Sequence, residues 1–253
     1  MPIDSEAIIP AVSAPRSLSS HPPPLRNAAH CSSCGLRHFC MPQGLSTNDT
    51  ARLETVINTA RMVKRGEVLF RPGDNFDALY AIRSGSLKTT LTSANGREQV
   101  MGLHLGGDTI GLEAFDNGHQ VCQAAALEDS SVCVIPQKQF ERACRENASI
   151  QRRLSQIMSA ELVRKSAQIL ILGTLRADER VAALLLDVSA RLHRRGYAND
   201  EFNLRLTRHD MGSLLGITLE TVSRTLSRFQ ANGLIETRGK LIQIRDFNRL
   251  LAV

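Results

Sequence analysis

Apolar and polar residues are arranged in three different ways along the chain, and each arrangement predicts a different kind of element. Between residues 60 and 136, short apolar runs are interrupted by glycine, as where the run 68–70 precedes the Pro-Gly-Asp turn 72–74. Many short strands separated by such turns are typical of an antiparallel barrel or jelly roll. We therefore expect an antiparallel β domain in this region.

A long helical pattern occupies residues 149–173. Its apolar stripe consists of Ile150, Leu154, Met158, Leu162, Ile169 and Leu172. Part of such a stripe must pack against its own domain. Lys165 interrupts the stripe. Its side chain either extends to water, or pairs with Glu161 one turn earlier, or, if two copies of the helix pair, faces its own copy and opposes their association.

Two shorter helical patterns meet at a glycine further on. Thr207 and Asp210 have the spacing of a capping pair at the start of the first helix, and Thr218 is a candidate N-cap for the second. Gly216 occupies the turn, where a positive φ is often required, and Gly212 is small where the second helix must approach. The inner faces are formed by Met211, Leu214, Leu215, Val222, Leu226 and Phe229.

The opposite face of the second helix is polar. It carries Glu220, Ser223, Arg224, Ser227 and Arg228. Arginine can match guanine and glutamate the cytosine amino group in the major groove, although Glu220 and Arg224 also have the spacing of a solvated salt bridge. The glycine-centred turn favours a DNA-reading helix-turn-helix.

A hairpin with a basic tip follows this helix pair. Residues 234–237 and 241–244 read as two strands joined at Arg238-Gly239-Lys240. Basic side chains between residues 203 and 245 outnumber acidic ones by four. The hairpin therefore predicts a wing that contacts an anionic partner.

Composition narrows the class of protein. A chain of 253 residues with a formal charge of +6 and a pI near 9.3 allows one or two globular domains and favours an anionic partner. Residues 1–30 are rich in proline and serine and read as a disordered arm. No secretory signal and no membrane-spanning run is present, so we expect a cytoplasmic protein without a membrane partner.

Three cysteines near the start supply candidate metal chemistry. Cys31, Cys34 and Cys40 form a C-x2-C-x5-C cluster, and thiolates suit zinc or iron–sulfur centres. A fourth cysteine, or His30 or His38, would complete a site. The spacing leaves zinc, iron–sulfur and incidental thiols open.

Longer motifs show a family resemblance. They are L-F-R-P-G-D at 69–74, L-Y-A-I-R-S-G-S-L-K at 79–88, G-L-H-L-G-G-D at 102–108, A-L-E-D-S-S-V-C-V-I-P at 126–136, T-L-E-T-V-S-R at 218–224 and R-F-Q-A-N-G-L-I at 228–235. From Cys31 to near its end, the chain resembles the cyclic-AMP receptor protein superfamily, and within it the FNR-type oxygen-responsive branch.

The resemblance implies an iron–sulfur site. In that branch the fourth ligand lies in a V-C-x-I-P segment, which corresponds to Cys133, whereas Cys122 and Cys144 are interpreted as ordinary buried thiols. The implied cofactor is a [4Fe-4S] cluster held by Cys31, Cys34, Cys40 and Cys133.

The resemblance also implies partners. Paired copies of the long helix would form a homodimer through Leu154, Met158, Leu162, Lys165 and Ile169. The dimer would bind double-stranded DNA at a TTGAT-N4-ATCAA-like palindrome through Glu220, Ser223, Arg224, Arg228, Thr207 and Lys240. RNA polymerase is a further expected partner of such an activator.

A cyclic nucleotide is not expected as a ligand. Nucleotide-binding members hold the cyclic phosphate with an arginine, and no arginine occurs between Arg97 and Arg142. Glu113 could be a remnant of a ribose contact, but we interpret it as a solvated loop acid.

The sequence therefore predicts an α+β protein with an antiparallel β jelly-roll sensor domain, a dimerisation helix and a winged helix-turn-helix. The expected bounds are 1–30 for the arm, 31–147 for the sensor domain, 148–173 for the helix and 174–253 for the DNA-binding domain, with a hinge near Gly173. The expected function is oxygen-sensing transcription regulation. Alternatives are a zinc- or redox-responsive regulator on the same scaffold, or a metalloenzyme, for which the sequence has no nucleophile-elbow, P-loop or zinc-hydrolase pattern.

Overall fold

The computed structural model describes residues 30–57 and 59–253. The predicted arm lies outside the described residues except for His30. The chain divides into two compact units, Met1–Glu161 and Leu162–Val253. The division falls inside one long helix.

The first unit consists of short strands framed by helices. In chain order its elements are α1 (Thr47–Val56), β1 (Thr59–Val63), β2 (Val68–Phe70), β3 (Ala78–Ser84), β4 (Ser86–Thr92), β5 (Glu98–Leu105), β6 (Thr109–Ile110), a 3₁₀ turn (Leu112–Phe115), β7 (Gln123–Ala126), β8 (Ser130–Pro136), α2 (Gln137–Glu146) and the first half of α3 (Ala148–Thr174).

The strands form two four-stranded antiparallel sheets. Their orders are β1-β8-β3-β6 and β2-β7-β4-β5. Side chains alternate between the two faces of each strand, so one face of each sheet contributes to the interior of the roll. That interior contains Val63, Leu69, Phe70, Ile82, Leu87, Ile110, Cys122, Ala124, Ala126 and Val132. The predicted antiparallel jelly roll is confirmed.

A second apolar core lies outside the roll. It joins residues of the sheet face opposite the interior, such as Leu79 and Ile135, to Leu53 of α1, Phe140 of α2 and Ile150 of α3. The same core contains Cys31 and Met41 from the segment that precedes α1. The cysteine-bearing segment is therefore part of a packed layer.

The long helix changes character along its length. At its start, the Asn147 side-chain oxygen accepts hydrogen bonds from the amides of Ser149 (2.9 Å) and Ile150 (3.3 Å). Ile150 is buried, with 1% of its surface exposed, whereas Leu162 and Ile169 are 69% and 70% exposed. The beginning of α3 thus packs on its own unit, Leu162 and Ile169 are exposed, and Leu172 near the end of the helix is half-buried.

The second unit contains the carboxyl-terminal helices and a small sheet. Its elements after α3 are α4 (Ala177–His193), β9 (Glu201–Asn203), α5 (Arg208–Leu215), α6 (Leu219–Ala231), β10 (Ile235–Arg238), β11 (Leu241–Ile244) and α7 (Phe247–Leu251). The antiparallel sheet has the order β10-β11-β9. The predicted hairpin is present, and β9 is a third strand that the sequence reading did not include.

The corner between α5 and α6 forms as its residues predict. The Thr207 hydroxyl accepts from the Asp210 amide at 3.0 Å, and the Asp210 carboxylate accepts from the Thr207 amide at 3.0 Å. Gly216 has φ 64°, and the Thr218 hydroxyl accepts from the Thr221 amide at 3.2 Å. The apolar residues expected on the inner faces are buried.

Arg180 in α4 satisfies carbonyl groups where two helices of this unit end. Its guanidinium donates to the carbonyl oxygens of Leu172 (2.8 Å), Leu175 (2.9 Å) and Leu215 (3.0 Å). The last carbonyls of a helix have no partner within that helix. Arg180 therefore joins the end of α3 to the end of α5.

Across the described residues, no helix is both long enough and apolar enough to cross a membrane.

Replacing Gly212 by alanine tests the close approach at the helix-turn-helix corner. A Cβ at this position would lie 2.6 Å from the carbonyl oxygen of Ile217, so one of the two backbones must shift. We expect Gly212→Ala to destabilise the second unit by about 1–3 kcal/mol, measured by urea denaturation.

The matched control is Gly173→Ala in α3. A Cβ there meets no atom within 4 Å, and alanine has the higher helix propensity. This variant should be as stable as the parent or more stable. Equal stability of the two variants would contradict the packing of Gly212.

Candidate metal centre and nucleic-acid interface

Residues 31–43, called here the cysteine loop, form a succession of tight turns. The Cys34 amide donates to the Cys31 carbonyl at 3.2 Å, and the Cys40 amide donates to the Leu36 carbonyl at 3.0 Å. These local bonds fold the loop so that Cys31, Cys34 and Cys40 line one cavity. Within the loop, the Cys40 carbonyl accepts from the Gln43 amide at 3.0 Å.

The loop rests on a glycine pair between β5 and β6. Cβ atoms added at Gly106 and Gly107 would lie 3.0 Å from side-chain carbons of Leu36 and Phe39, respectively. Any side chain at these positions would push the loop outward. A further contact fixes its beginning, because the Ser32 amide donates to the Glu54 carboxylate of α1.

The alternation of strand β8 places Cys133 beneath the loop. Val132 belongs to the interior of the roll, whereas Cys133 and Ile135 belong to the outer core. Cys133 lies opposite Ala60 of β1 and Ala81 of β3 in the ladder. Since both neighbours are small, the loop can approach the sheet at this point.

The structure brings the four cysteines to one cavity. Cys31, Cys34, Cys40 and Cys133 line it, together with His30, Leu36, Arg37, Pro42, Ile57, Ala81, Ile82 and Arg83. Within residues 30–57 and 59–253, no three histidine, cysteine or acidic side chains are grouped tightly enough to hold a single metal ion.

The electrostatics of the cavity show that the thiols affect one another. Burial, with smaller contributions from negative charge on Cys133 and Glu54, raises the pKa of the Cys31 thiol to about 12, and Arg83 opposes this rise. Burial also raises the pKa of Cys40 to about 12, although a backbone hydrogen bond from Met41 opposes it. Burial raises the pKa of Cys133, again against the charge of Arg83.

The other two cysteines lie elsewhere. Cys122 is 5% exposed in the interior of the roll, and its Sγ donates to the Glu113 carboxylate at 2.7 Å. Cys144 is 9% exposed on α2. Neither lines the cavity of the cysteine loop. Glu113 is exposed, as expected, but its contact with Cys122 was not foreseen.

The polar face of α6 is accessible. Glu220 and Arg224 are exposed, and Ser223 is half-buried. A backbone N–H at the helix start, then the Thr218 hydroxyl and the Arg224 charge, lower the pKa of Glu220, so it is ionised at neutral pH. The Arg224 guanidinium donates to the Thr221 hydroxyl at 3.3 Å, one turn earlier on its own helix.

Several basic side chains near this face have acidic partners. Arg228 pairs with Asp178 of α4 at 2.9 Å. In the wing, Arg238 and Arg245 both pair with Glu236. Counting basic residues in the sequence therefore overestimates the charge available to DNA.

Two grooves flank the start of α5. One is lined by Arg208, Ser223, Ser227 and Thr237 among others, and the second by Thr207, Arg208, Gly239 and Lys240 among others. Arg208 lines both, and burial lowers the pKa of its guanidinium. Sequence reasoning had not singled out Arg208, although its place at the first position of a capped helix was a usable signal.

The residues predicted for the dimer seam differ in exposure. Leu154 is partly buried and packs on the outer core of the first unit. Met158 is 43% exposed, Lys165 is half-buried, and Leu162 and Ile169 are largely exposed. The apolar side chains of α3 that are available to a second chain are therefore concentrated toward its carboxyl half.

Comparison with known proteins identifies the class. Residues 60–147 match the family described as cyclic nucleotide-binding domain, and residues 179–253 match the Crp-like helix-turn-helix domain. This pair of domains defines a transcription regulator that binds DNA and is not an enzyme.

Individual relatives specify the family. The chain is 40% identical over 236 residues to transcriptional activator protein Anr of Pseudomonas protegens, covering 92% of this chain and 97% of that protein. It is 37% identical to the fumarate and nitrate reduction regulatory protein of Salmonella typhimurium, covering 89% and 90% of the two chains. Among solved structures it is similar to FixK2 of Bradyrhizobium japonicum, with a TM-score of 0.69 and 30% identity, covering 76% of this chain and 94% of that one. The chain belongs to the CRP/FNR family of transcription regulators.

Proposed function

We propose that this regulator responds to oxygen through a [4Fe-4S] cluster held by Cys31, Cys34, Cys40 and Cys133. Under low oxygen the loaded protein would be a homodimer that binds a TTGAT-N4-ATCAA-like palindrome. The observation that supports this most is the single cavity lined by all four thiols. Two CRP/FNR relatives named as an activator and as a fumarate and nitrate reduction regulator are consistent with it.

The donor set favours a cluster over a single zinc ion. Four thiols match the ligands of a [4Fe-4S] centre. A zinc ion bound at about 2.3 Å by each sulfur needs four closely grouped thiolates, whereas the four ligands of a cluster bind four separate irons and stand farther apart. Four cysteines that line one cavity fit the donor set of such a cluster.

The chain's own residues hold and shield such a group. Arg37 and Arg83 line the cavity, and their positive charges would stabilise the negatively charged thiolate ligands. Leu36 and Ile57 cover other parts of the lining and limit the access of water. When bound, the cluster would supply the reactivity toward oxygen that the thiols alone lack.

Dimerisation is proposed to proceed through the exposed part of α3. Met158, Leu162 and Ile169 are exposed apolar side chains on this helix, and a second copy of the helix would cover them. A two-fold pair of helix-turn-helix units binds two half-sites about one turn of DNA apart. RNA polymerase is the proposed partner of the DNA-bound dimer.

A cyclic nucleotide is not part of the proposal, although residues 60–147 match the domain family of that name. No arginine is available between Arg97 and Arg142 to bind a cyclic phosphate. Gln120 is 1% exposed, and Cys122 donates to Glu113 in the same region. The domain is proposed to serve as the platform for the cysteine loop.

Purification without oxygen tests the proposal as a whole. We expect visible absorption that bleaches in air, with about four irons and four sulfides per chain. Stoichiometric zinc without sulfide would instead support the zinc-responsive alternative, and a metal-free protein that binds DNA equally in both conditions would contradict oxygen sensing.

Serine substitutions test the ligand set. Each of Cys31→Ser, Cys34→Ser, Cys40→Ser and Cys133→Ser should lose iron and low-oxygen DNA binding, because serine replaces a thiolate ligand. The controls Cys122→Ser and Cys144→Ser should keep both, since these thiols lie away from the cavity. Normal iron content in Cys133→Ser would move the fourth ligand elsewhere.

Two substitutions separate base reading from phosphate binding. Arg224→Ala should cost about 1–3 kcal/mol in DNA binding and relax preference at one guanine, while Lys240→Ala should weaken binding to all sequences alike. Binding to a palindrome and to its single-base variants, measured by fluorescence anisotropy, distinguishes them. Unchanged selectivity in Arg224→Ala would show that Arg224 lies on a solvated face of α6 and does not read a base.

Lys165 is expected to act as a brake on dimerisation. Near a two-fold axis it would face its own copy, and two like charges oppose association. Lys165→Ala should tighten dimerisation of the cluster-free protein at least tenfold, about 1.4 kcal/mol, and allow DNA binding in air. Sedimentation measures the change, with the exposed neighbour Arg164→Ala as control. A variant that sediments like the parent would show that Lys165 is not the brake.

A further inference from the structure

Arg153 connects the cysteine loop to the long helix. Its Nε donates to the Met41 carbonyl at 3.2 Å, and one terminal nitrogen donates to the Cys40 carbonyl at 3.1 Å and to the Gln43 side-chain oxygen at 2.7 Å. Two of these acceptors are backbone atoms of the cysteine loop, more than a hundred residues away in sequence. The contact therefore depends mainly on the position of the loop backbone and only in part on a loop side chain.

The surroundings make this contact specific. Met41 is fully buried, and Arg153 is half-buried. Guanidinium stays charged at any physiological pH and offers donors in a fixed planar arrangement, so it can bind several acceptors only when they are correctly placed. A charge-assisted hydrogen bond sheltered from water is also stronger than one on the surface. A small displacement of residues 40–43 would break several bonds together.

Apolar packing supports the same connection. Cys40 and Cys133 are partly buried against the outer core, and Leu154 and Ile157 of α3 pack against the same core. Arg153 lies directly before Leu154 in the helix. The seam residues Met158 and Leu162 begin one to two turns further along. The loop contact and the start of the exposed apolar surface are thus adjacent on one helix.

From these contacts, we propose that Arg153 is a positioning residue that transmits the state of the cysteine loop to the dimerisation helix. With the loop drawn to the sheet, Arg153 holds the first turns of α3 in the orientation that a second copy can pack against. With the loop released, the acceptors at residues 40, 41 and 43 separate and this orientation is lost. The inference rests on the proposed function, because it assigns a regulatory role within that site.

The first measurement compares dimer dissociation constants of loaded and cluster-free protein by sedimentation without oxygen. The parent should dimerise more tightly when loaded. Arg153→Ala should retain the parent's iron and sulfide content, because all four ligands remain. The ratio of its dimer dissociation constants, cluster-free over loaded, should be at least tenfold smaller than that of the parent, because the link to α3 is lost. Arg152→Ala, which removes an exposed arginine from the preceding position, is the matched control and should behave like the parent.

Two further variants remove only part of the Arg153 contact, so each should give a smaller loss than Arg153→Ala. Gln43→Ala removes one acceptor and leaves both carbonyls, so its loss should be smaller than that of Arg153→Ala. Arg153→Lys keeps the charge but lacks the planar guanidinium whose separate nitrogens bind these acceptors, and it should be intermediate. An unchanged difference in Arg153→Ala would overturn the inference. So would loss of the cluster in Arg153→Ala and Arg153→Lys, because Arg153 would then serve ligand binding alone.

A second measurement separates this inference from the proposed function. Amide hydrogen exchange of the loaded chain, measured without oxygen, should accelerate at least tenfold in both the cysteine loop and residues 148–157 of Arg153→Ala relative to Arg152→Ala, whereas the metal-free forms of the two variants should exchange alike because their loops are already released. Iron and sulfide analysis of the parent tests the proposed function separately: a parent that never binds a cluster refutes that function, and equal exchange in the two loaded variants refutes the role of Arg153. Acceleration in only one of the two segments would refute the connection through Arg153.

Discussion

The pleat of strand β8 is the constraint on which the first unit depends. Because successive side chains of a strand point to opposite faces, Val132 fills the roll and Cys133 faces outward. A shift of one residue in the register with β1 and β3 would exchange these two side chains. The cavity would then lose its thiol from the sheet, and the roll would gain a polarisable sulfur in place of a branched apolar group. Stability of the roll and the position of Cys133 are therefore set by the same alternation.

The outer core couples the cysteine loop to the helices that pack with it. The cysteine loop, α1, α2 and the first turns of α3 share one apolar layer on the outside of the β1-β8-β3-β6 sheet. Polar links cross that layer as well: Ser32 bonds Glu54 of α1, and Asn147 at the start of α3 bonds Asp49 of α1. Densely packed layers resist continuous deformation, so a displacement of the loop must be accommodated by its neighbours. The start of α3 is one of those neighbours.

Several arginines of the second unit bind carbonyl or carboxylate groups of the same unit. Arg180 satisfies helix-end carbonyls, Arg228 pairs with Asp178, and Arg245 pairs with Glu236. These contacts stiffen the helix-turn-helix and its wing, and they reduce the number of arginines free to bind phosphate. Arg224 is exposed on the polar face of α6 and Lys240 lines a groove beside the start of α5, so these two side chains are the better candidates for contacts to DNA. Pre-organised base-reading side chains need such a rigid support.

Local rules let the sequence by itself determine a large part of this protein. The Thr207–Asp210 cap, the left-handed Gly216, the Thr218 cap and the glycine-bounded strands all depend on neighbours within a few residues, and each is present. The C-x2-C-x5-C spacing likewise indicated a metal-binding segment, but the spacing left the fourth ligand open, and only a family resemblance implied Cys133. Tertiary structure decided what depends on distant contacts. It placed Cys133 opposite Ala60 and Ala81 in the sheet and at the cavity. It added β9 to the wing, and it buried the beginning of the α3 stripe while leaving Met158, Leu162 and Ile169 exposed. It also gave Arg153 acceptors more than a hundred residues away, a pairing that no local pattern encodes.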